Sequence, residues 1–248
     1  MTLNLFFEKN PHVALAFSGG VDSAFLLYAA KTFGTDVRAY YVKTPFQPQF
    51  EYEDATVLAH QLKVPMTTIH LDVLADPRIA ANPKNRCYFC KNRIFTAIAE
   101  QAKKDGYPVI IDGTNASDNL SNRPGMQALE ELSVISPLRL CGLTKDEIRK
   151  LSKEAGLFTH DKPAYACLAT RIPTDTPITT DLLTKTEASE EFLKSLDFFD
   201  FRIRVLGDNA KIQIKEAQLP LLIEHRQTIL EKLKEHYATV LLDLEVRE

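Results

Sequence analysis

Two groups of residues in this chain have the types and spacing for chemistry: Ser18-Gly19-Gly20-Val21-Asp22-Ser23 near the start, and the thiols of Cys87, Cys90 and Cys167 further on. The first group follows a short apolar run, His12–Phe17, and leads into an apolar stretch, which places it between a strand and a helix. Glycines there let the backbone come close to phosphate oxygens. A helix start offers N–H groups and the positive end of a dipole. Ser18 and Ser23 add hydroxyl donors. Asp22 would repel a phosphate unless a cation sat between them, which implies Mg²⁺. The Gly-Lys-Ser/Thr ending of a Walker loop is absent, and so is the dinucleotide fingerprint. The plain alternative is a glycine turn that only starts a helix.

Cys87-Tyr-Phe-Cys90 has the spacing to share a metal or cluster, or to cycle as a redox pair. Cys167 lies in Asp161-Lys-Pro-Ala-Tyr-Ala-Cys167-Leu-Ala-Thr-Arg171. Three thiolates can bind three irons of a [4Fe-4S] cluster and leave the fourth open. Cys167 can instead act alone as a nucleophile, or all three can be small packed residues. Cys141, between Leu140 and Gly142, lacks polar company and reads as a packed cysteine. In a reducing cytosol such thiols are more often buried, catalytic or metal-bound than disulfide-linked.

Further candidates surround these. Asp112-Gly113-Thr114-Asn115 follows a predicted strand, with Asp118 and Arg123 close behind. An arginine there suits a phosphate or an acidic substrate. Arg171, four residues past Cys167, has the charge to lower a thiolate pKa or to hold a carboxylate. Arg202 and Arg204 alternate along a predicted strand, so both point to one face, where they suit a substrate phosphate. Glu187 and Glu190 share a helix face and are candidate metal ligands. His160 reads as a loop-satisfied histidine rather than a base.

Elements that alternate must position these groups. Strands are expected at His12–Phe17, Val37–Lys43, Met66–Val73, Pro108–Ile111 and Val134–Leu138. Helices are expected at Asp22–Phe33, Glu51–Leu62, Lys91–Lys103 and Thr144–Ala155, the last with a capping box from Thr144 to Glu147. Such alternation predicts an α/β fold with a doubly wound parallel sheet, which binds ligands at the carboxyl ends of its strands. Pro173–Pro177 reads as a hinge. Beyond it come a helix over Asp181–Leu196, strands at Phe201–Leu206 and Lys211–Lys215, a helix near Leu219–His236 and a strand at Thr239–Leu244. This predicts residues 1–172 as a nucleotide domain and residues 178–248 as a smaller α+β domain for substrate or oligomerisation.

The 248 residues carry a net charge of −3, and the pI is about 6.1. No general basic field exists, so nucleic acid is not an expected partner. Met1–Asn10 lacks a basic segment followed by a long apolar stretch, and no run approaches the length of a membrane span. A cytoplasmic protein without a membrane partner is expected.

The Ser18–Ser23 segment resembles the pyrophosphate loop (PP-loop) of the N-type ATP pyrophosphatases, whose fold is adenine nucleotide alpha hydrolase-like. That resemblance implies ATP, with Ser18, Gly19, Gly20, Val21, Asp22 and Ser23 holding the β- and γ-phosphates as a leaving group while AMP passes to an acceptor. It also places Gly113, Thr114, Asn115 and Arg123 near the nucleotide. The wider set Arg86-Cys-Tyr-Phe-Cys-Lys91, Arg123-Pro-Gly125, Pro137-Leu138, Asp161-Lys-Pro-Ala164, Ala166-Cys-Leu-Ala-Thr-Arg-Ile-Pro173 and Phe201-Arg-Ile-Arg-Val205 resembles the ATP-dependent sacrificial sulfur transferases of nickel-pincer cofactor biosynthesis (LarE-like). The likeness runs along almost the whole chain.

It implies a pyridinium dicarboxylate mononucleotide as substrate, adenylated on one carboxylate, and a thiocarboxylate as product. In the sacrificial branch the thiolate at Cys167 attacks the acyl adenylate and is left as dehydroalanine. Members with three cysteines hold a [4Fe-4S] cluster, with sulfide on the open iron. Cys87, Cys90 and Cys167 match them, so the cluster route is expected here, fed by sulfide or another sulfur donor. A homo-oligomer is implied in the same way. Asn119-Leu-Ser-Asn122 and Thr174-Asp175 depart from the pattern in loops around the acceptor, which bears on the substrate more than on adenylation. A tRNA thiolation enzyme, an amide-forming synthetase and a non-catalytic nucleotide-binding protein are the competing readings.

Overall fold

A computed structural model describes residues 1–118 and 124–245. The chain divides into two compact units. The first comprises Met1–Val73 and Asn85–Lys162, the second Leu74–Lys84 and Pro163–Glu248.

In the first unit, β1 (His12–Ala16) pairs in parallel with β2 (Asp36–Lys43), β2 with β3 (Met66–His70), and β1 on its other side with β4 (Val109–Ile111). The order is β3-β2-β1-β4. The chain therefore winds outward from β1 and then returns to its opposite flank. Successive side chains of a strand face opposite sides, and both sides here are covered. Val13, Leu15, Val37, Ala39, Tyr41 and Ile111 meet the helices Leu3–Lys9, Val21–Thr32 and Gln49–Gln61. Ala14, Tyr40, Val42 and Ile110 meet the helix Arg86–Lys104 and, through Leu129, the helix Pro124–Glu131. Burial on two faces explains why the strands read as nearly continuous apolar runs. It also explains why Val21–Thr32 is apolar almost all round. The doubly wound α/β class predicted from sequence is the observed fold.

Two local expectations differ from what forms, and one helix was not expected. Val134–Leu138 is not a strand; only Ile135 bridges Ile111, in parallel. Pro137 has no N–H to donate to a ladder and opens the helical turn Pro137–Leu140 instead. The helix expected from Lys91 begins at Arg86, which places both Cys87 and Cys90 inside it. Leu3–Lys9 forms a helix that the sequence reading did not identify; Thr2 caps it, and Leu3, Phe6 and Phe7 are buried.

The second unit carries a three-stranded sheet, β5 (Arg202–Leu206), β6 (Asn209–Gln213) and β7 (Thr239–Leu242). β5 and β6 are antiparallel, and β7 runs parallel to β6. The helix Thr180–Ser195 starts at Thr179, whose hydroxyl accepts from the Leu182 N–H, and it buries Leu183, Glu190 and Leu193. The single helix expected near Leu219–His236 is broken at His225 into Leu219–Glu224 and Arg226–Leu233. Leu74–Lys84 joins this unit because buried Asn82 donates to the carbonyls of Pro173 at 2.7 Å and Thr176 at 3.1 Å. The Ile178 N–H also donates to Ala80. The proline-rich stretch read as a hinge is thus pinned on both sides. Among the described residues no helix is long and apolar enough to cross a membrane.

The helix Lys145–Glu154 opens with the expected capping box. Thr144 Oγ accepts from the Glu147 N–H, and the Glu147 carboxylate accepts from the Thr144 N–H at 2.8 Å. Hydrogen bonds from the Thr144 hydroxyl, then from its N–H, hold the Glu147 pKa below the ordinary glutamate value. Thr144→Ala is expected to cost about 1 kcal/mol, seen as a lower urea midpoint at neutral pH. A depressed carboxyl contributes stability above its unfolded pKa and loses it as pH falls through the native value. The gap between variant and parent should therefore narrow in acid. Equal midpoints at neutral pH would show that the box contributes nothing.

Candidate active site

The pyrophosphate-loop segment leaves β1 at Ala16 and enters the helix at Val21. Gly19 has φ +72°, and a Cβ there would lie 2.9 Å from the Ala55 Cβ, so only glycine fits the turn. Gly20 is the N-cap and supplies no side chain to the helix start. The first-turn N–H groups are therefore left to a ligand. Ser18 Oγ and Ser23 Oγ sit 3.0 Å apart, and Ser23 Oγ donates to the Gly20 carbonyl. The two hydroxyls fix the loop and line it.

Asp22 carries the charge of the loop. One carboxylate oxygen, Oδ2, accepts from Lys145 Nζ at 2.6 Å. The other, Oδ1, is buried without a hydrogen-bond partner. A buried carboxylate oxygen with no donor is costly unless a cation completes it. Mg²⁺ binds through one or two carboxylates together with substrate phosphates, so Asp22 fits the expected ion. The Lys145 and Asp22 side chains are 32% and 23% exposed, and an ion pair of that exposure contributes only ~1 kcal/mol. A divalent cation and a phosphate chain can displace it.

Lys145 escaped the sequence reading. Its signal was a cation at the first position of a helix, where the dipole disfavours positive charge. Its backbone N–H is held by Ser117 Oγ at 2.9 Å, which ties it to the loop after β4.

That loop, Asp112–Asp118, serves mainly to hold its own shape. Asp112 accepts from the hydroxyls of Ser136 at 2.6 Å and Thr114 at 2.5 Å. Asn115 Oδ1 accepts from the Ser117 N–H, and its own N–H donates to Asp118. Gly113 is the closest approach, since a Cβ there would lie 2.9 Å from the Ser23 backbone nitrogen. Ser18–Ser23 and Gly113–Asn115 are thus brought together, while Arg123, the last nucleotide-binding candidate, lies outside the described residues with Asn119–Asn122.

Cys87 and Cys90 occupy the start of the helix Arg86–Lys104, three residues apart on one face. Cys87 is exposed and Cys90 half-buried. Arg86 Nη2 is 3.8 Å from Cys87 Sγ. Cys167 belongs to the second unit. Among the described residues the cysteines form no disulfide, and no group of three or more His, Cys, Asp or Glu is gathered to hold a metal ion. Cys141 packs against the first core, and burial pushes its thiol pKa up, as a packed cysteine should be. His160 Nδ1 lies 3.0 Å from the Leu157 carbonyl, a loop-satisfied histidine.

In the second unit the charged candidates turn inward on the segment around Cys167. Arg171, 1% exposed, was expected at a substrate carboxylate or beside the thiolate. It donates to both oxygens of Glu190, at 2.8 and 3.0 Å, to the Ala166 carbonyl at 2.7 Å and to the Cys167 carbonyl at 3.4 Å. Burial works against its charge, but the hydrogen bonds and charge of Glu190, with the charge of Cys167 among the lesser influences, more than offset that and raise its pKa.

Glu190, expected with Glu187 at a metal, is closed by four donors: Arg171 Nε and Nη2, the Tyr165 hydroxyl at 2.6 Å, and the Ile203 N–H at 3.0 Å. A carboxylate so occupied offers nothing to a cation. Arg202 and Arg204 share a face, but Arg202 donates to the Ala164 carbonyl and Arg204 to the Thr170 carbonyl rather than pointing freely at a phosphate.

A parallel sheet that turns back at β1, with this loop beyond β1 and a glycine of the β4 loop pressed on it, defines a pyrophosphate-loop enzyme that uses ATP. Residues 9–195 match the family described as thiamine biosynthesis protein (ThiI). The pyridinium-3,5-bisthiocarboxylic acid mononucleotide synthase of Lactiplantibacillus plantarum is 31% identical over 84% of this chain and 76% of its own length. An uncharacterized protein of Synechocystis is 33% identical over 90% and 83%, and one of Methanocaldococcus jannaschii 30% identical over 96% and 91%. The chain belongs to the LarE-like family of PP-loop sulfur transferases, and it is an ATP-utilising sulfurtransferase.

Gly113→Ala should push on the Ser23 backbone, an overpacking cost of roughly 1–3 kcal/mol, and so weaken ATP binding by about ten- to a hundredfold by calorimetry. Binding equal to the parent's would mean that the two loops need not touch.

Proposed function

We propose that the chain adenylates one carboxylate of a pyridinium dicarboxylate mononucleotide with ATP, releases pyrophosphate, and replaces AMP with sulfur to give a thiocarboxylate. The observation that carries this reading is the half-satisfied Asp22 beside Lys145, at a helix start that has no side-chain cap. The named activity of the Lactiplantibacillus plantarum synthase supports the substrate class.

The first-turn N–H groups and the hydroxyls of Ser18 and Ser23 would hold the β- and γ-phosphates. Asp22 Oδ1 would hold Mg²⁺, and Lys145 Nζ would turn from Asp22 Oδ2 to a phosphate oxygen. A substrate carboxylate oxygen attacks the α-phosphorus, the bond to the bridging oxygen breaks, and pyrophosphate leaves with its charge met by these groups. A sulfur nucleophile then attacks the acyl carbon, and AMP departs with the former carboxylate oxygen.

Cys87, Cys90 and Cys167 are the donor set for a [4Fe-4S] cluster: three thiols, two of them on one helix turn. When bound, the cluster would supply an anionic sulfide at neutral pH. The second reading is a sacrificial Cys167, favoured by the tight framing of the Cys167 segment by Arg171 and Arg202. A homo-oligomer is proposed on the resemblance alone.

Lys145→Gln should lower substrate-dependent pyrophosphate release by roughly 100-fold, the size of effect seen when a donor to developing charge is removed. Asp22→Asn should lower the rate and raise the Mg²⁺ concentration needed for half-maximal pyrophosphate release. Full activity in either variant would sink the assigned roles. For the sulfur source, anaerobically purified protein should contain about four irons per chain, lost in Cys87→Ala, Cys90→Ala and Cys167→Ala. No iron after anaerobic reconstitution, with a mass loss of one H₂S per chain after turnover, would establish Cys167 as the consumed donor.

A further inference from the structure

The segment that carries Cys167 is suspended by its carbonyl oxygens. Arg202 Nη2 holds the Ala164 carbonyl at 2.6 Å, Arg171 Nη1 holds the Ala166 carbonyl at 2.7 Å, and Arg204 Nη1 holds the Thr170 carbonyl at 2.5 Å. The Cys167 carbonyl accepts from Thr170 Oγ1 at 2.8 Å and from the Thr170 N–H at 2.9 Å. Cys167 itself is the N-cap of the short 3-10 turn Leu168–Arg171.

Behind these contacts stands one carboxylate and one ring. Glu190 aligns Arg171 through both of its oxygens and also accepts from Tyr165 and Ile203. Two guanidiniums stand over the Tyr165 ring, Arg171 Cζ 4.5 Å and Arg202 Cζ 5.0 Å from its centroid. Tyr165 is two residues before Cys167, so the ring clamps the segment from its own backbone. Arg171, Glu190 and Arg202 are 1%, 6% and 5% exposed. Arginines held in this way are rigid donors, because a guanidinium fork presents its N–H groups at fixed angles.

We propose that Glu190 and Tyr165 are positioning residues for Cys167: together they lock Arg171, four residues after the thiol, and Arg202, and these two hold the carbonyls of Ala166 and Ala164 just before it. The proposal rests on Cys167 handling sulfur, as argued above. Neither Glu190 nor Tyr165 need touch substrate. Fixed backbone on both sides leaves the thiol only its side-chain rotation, and small errors in position at a reacting atom cost large factors in rate.

Removing one partner of a buried ion pair is strongly destabilising, so Tyr165 is the primary target and Glu190→Gln accompanies it. Tyr165→Phe keeps the ring beneath the guanidiniums and loses the hydrogen bond to Glu190. Tyr165→Leu loses both. Two quantities are read in the full chain. One is the first-turnover rate of sulfur transfer with pyridinium-3,5-dicarboxylate mononucleotide, ATP, Mg²⁺ and sulfide, alongside the first-turnover burst of pyrophosphate. The other is the rate of iodoacetamide alkylation of each cysteine, by mass, in protein stripped of iron by a chelator.

Tyr165→Leu should lower the first-turnover rate of sulfur transfer by about tenfold or more, with the ATP dependence and the pyrophosphate burst kept within about twofold. Tyr165→Phe should fall between it and the parent. Alkylation of half-buried Cys167 should rise in the same order, with Cys141 unchanged as the sign of an intact first unit. Opposite movement of reagent access and enzymatic rate is the signature of lost positioning; loosening of the whole chain would raise Cys141 as well. Unchanged Cys167 alkylation together with unchanged sulfur transfer in both Tyr165→Leu and Glu190→Gln would overturn the proposal. Full sulfur transfer by Cys167→Ala would instead remove the reading on which it rests, and the alkylation of Tyr165→Leu would still report whether the frame exists.

Discussion

A Cβ at Gly113 would stand 2.9 Å from the backbone nitrogen of Ser23, and much of the first unit follows from that contact. It requires β1 and β4 to be neighbours, so the chain must return past β1 after building β2 and β3. The same return places the loops after β1 and β4 at the point where strand order reverses, the place where open α/β sheets bind ligands. Tyr40, Val42 and Ile110 on one face, and Val13, Leu15 and Tyr41 on the other, are buried because helices must cover both sides of a sheet wound in two directions. The glycine at position 113 thus reports on topology as much as on the loop.

Charge in this loop is balanced locally rather than by the protein as a whole. The helix from Val21 presents its positive end to a ligand, and Asp22 in its first turn already opposes part of that field. Lys145 reaches Asp22 from another helix start, where its own charge is disfavoured. Asp22 is well placed on its own helix, Lys145 is poorly placed on its own, and the pair offsets the cost at Lys145. A weak exposed pair of this kind can give way to a cation and a phosphate chain. Net charge, −3 over the whole chain, says nothing about such an arrangement.

The sequence showed most of the first sheet, because two-sided burial leaves continuous apolar runs, and it showed the pyrophosphate loop, because turn, charge and hydroxyl are adjacent in it. It misjudged Val134–Leu138, where apolar residues ran up to a proline that cannot join a ladder. It missed Lys145, whose partner is 123 positions away. It also missed the passage of Leu74–Lys84 into the second unit, since Asn82 gives no local sign of the three carbonyls it will meet. Arg171, Arg202 and Arg204 stood out by charge and spacing, and charge alone could not show the backbone carbonyls that they hold.

Counting donors and acceptors shows why the chain draws these arginines in. A segment without regular structure has carbonyl oxygens that must be satisfied once buried. Ala164, Ala166 and Thr170 find arginines instead of a neighbouring strand. Burying those arginines requires a compensating charge, and Glu190 supplies it on a helix where its neighbours Leu183 and Leu193 are core. A fully occupied carboxylate cannot also be a metal ligand, so a residue that spacing offered as a binding group belongs to the scaffold. The same reasoning separates Asp22 from Glu190: both are acidic and both lie on helices, but Asp22 keeps one buried oxygen without a donor while Glu190 keeps none. Unmet valence, rather than charge or burial, distinguishes a site from a support.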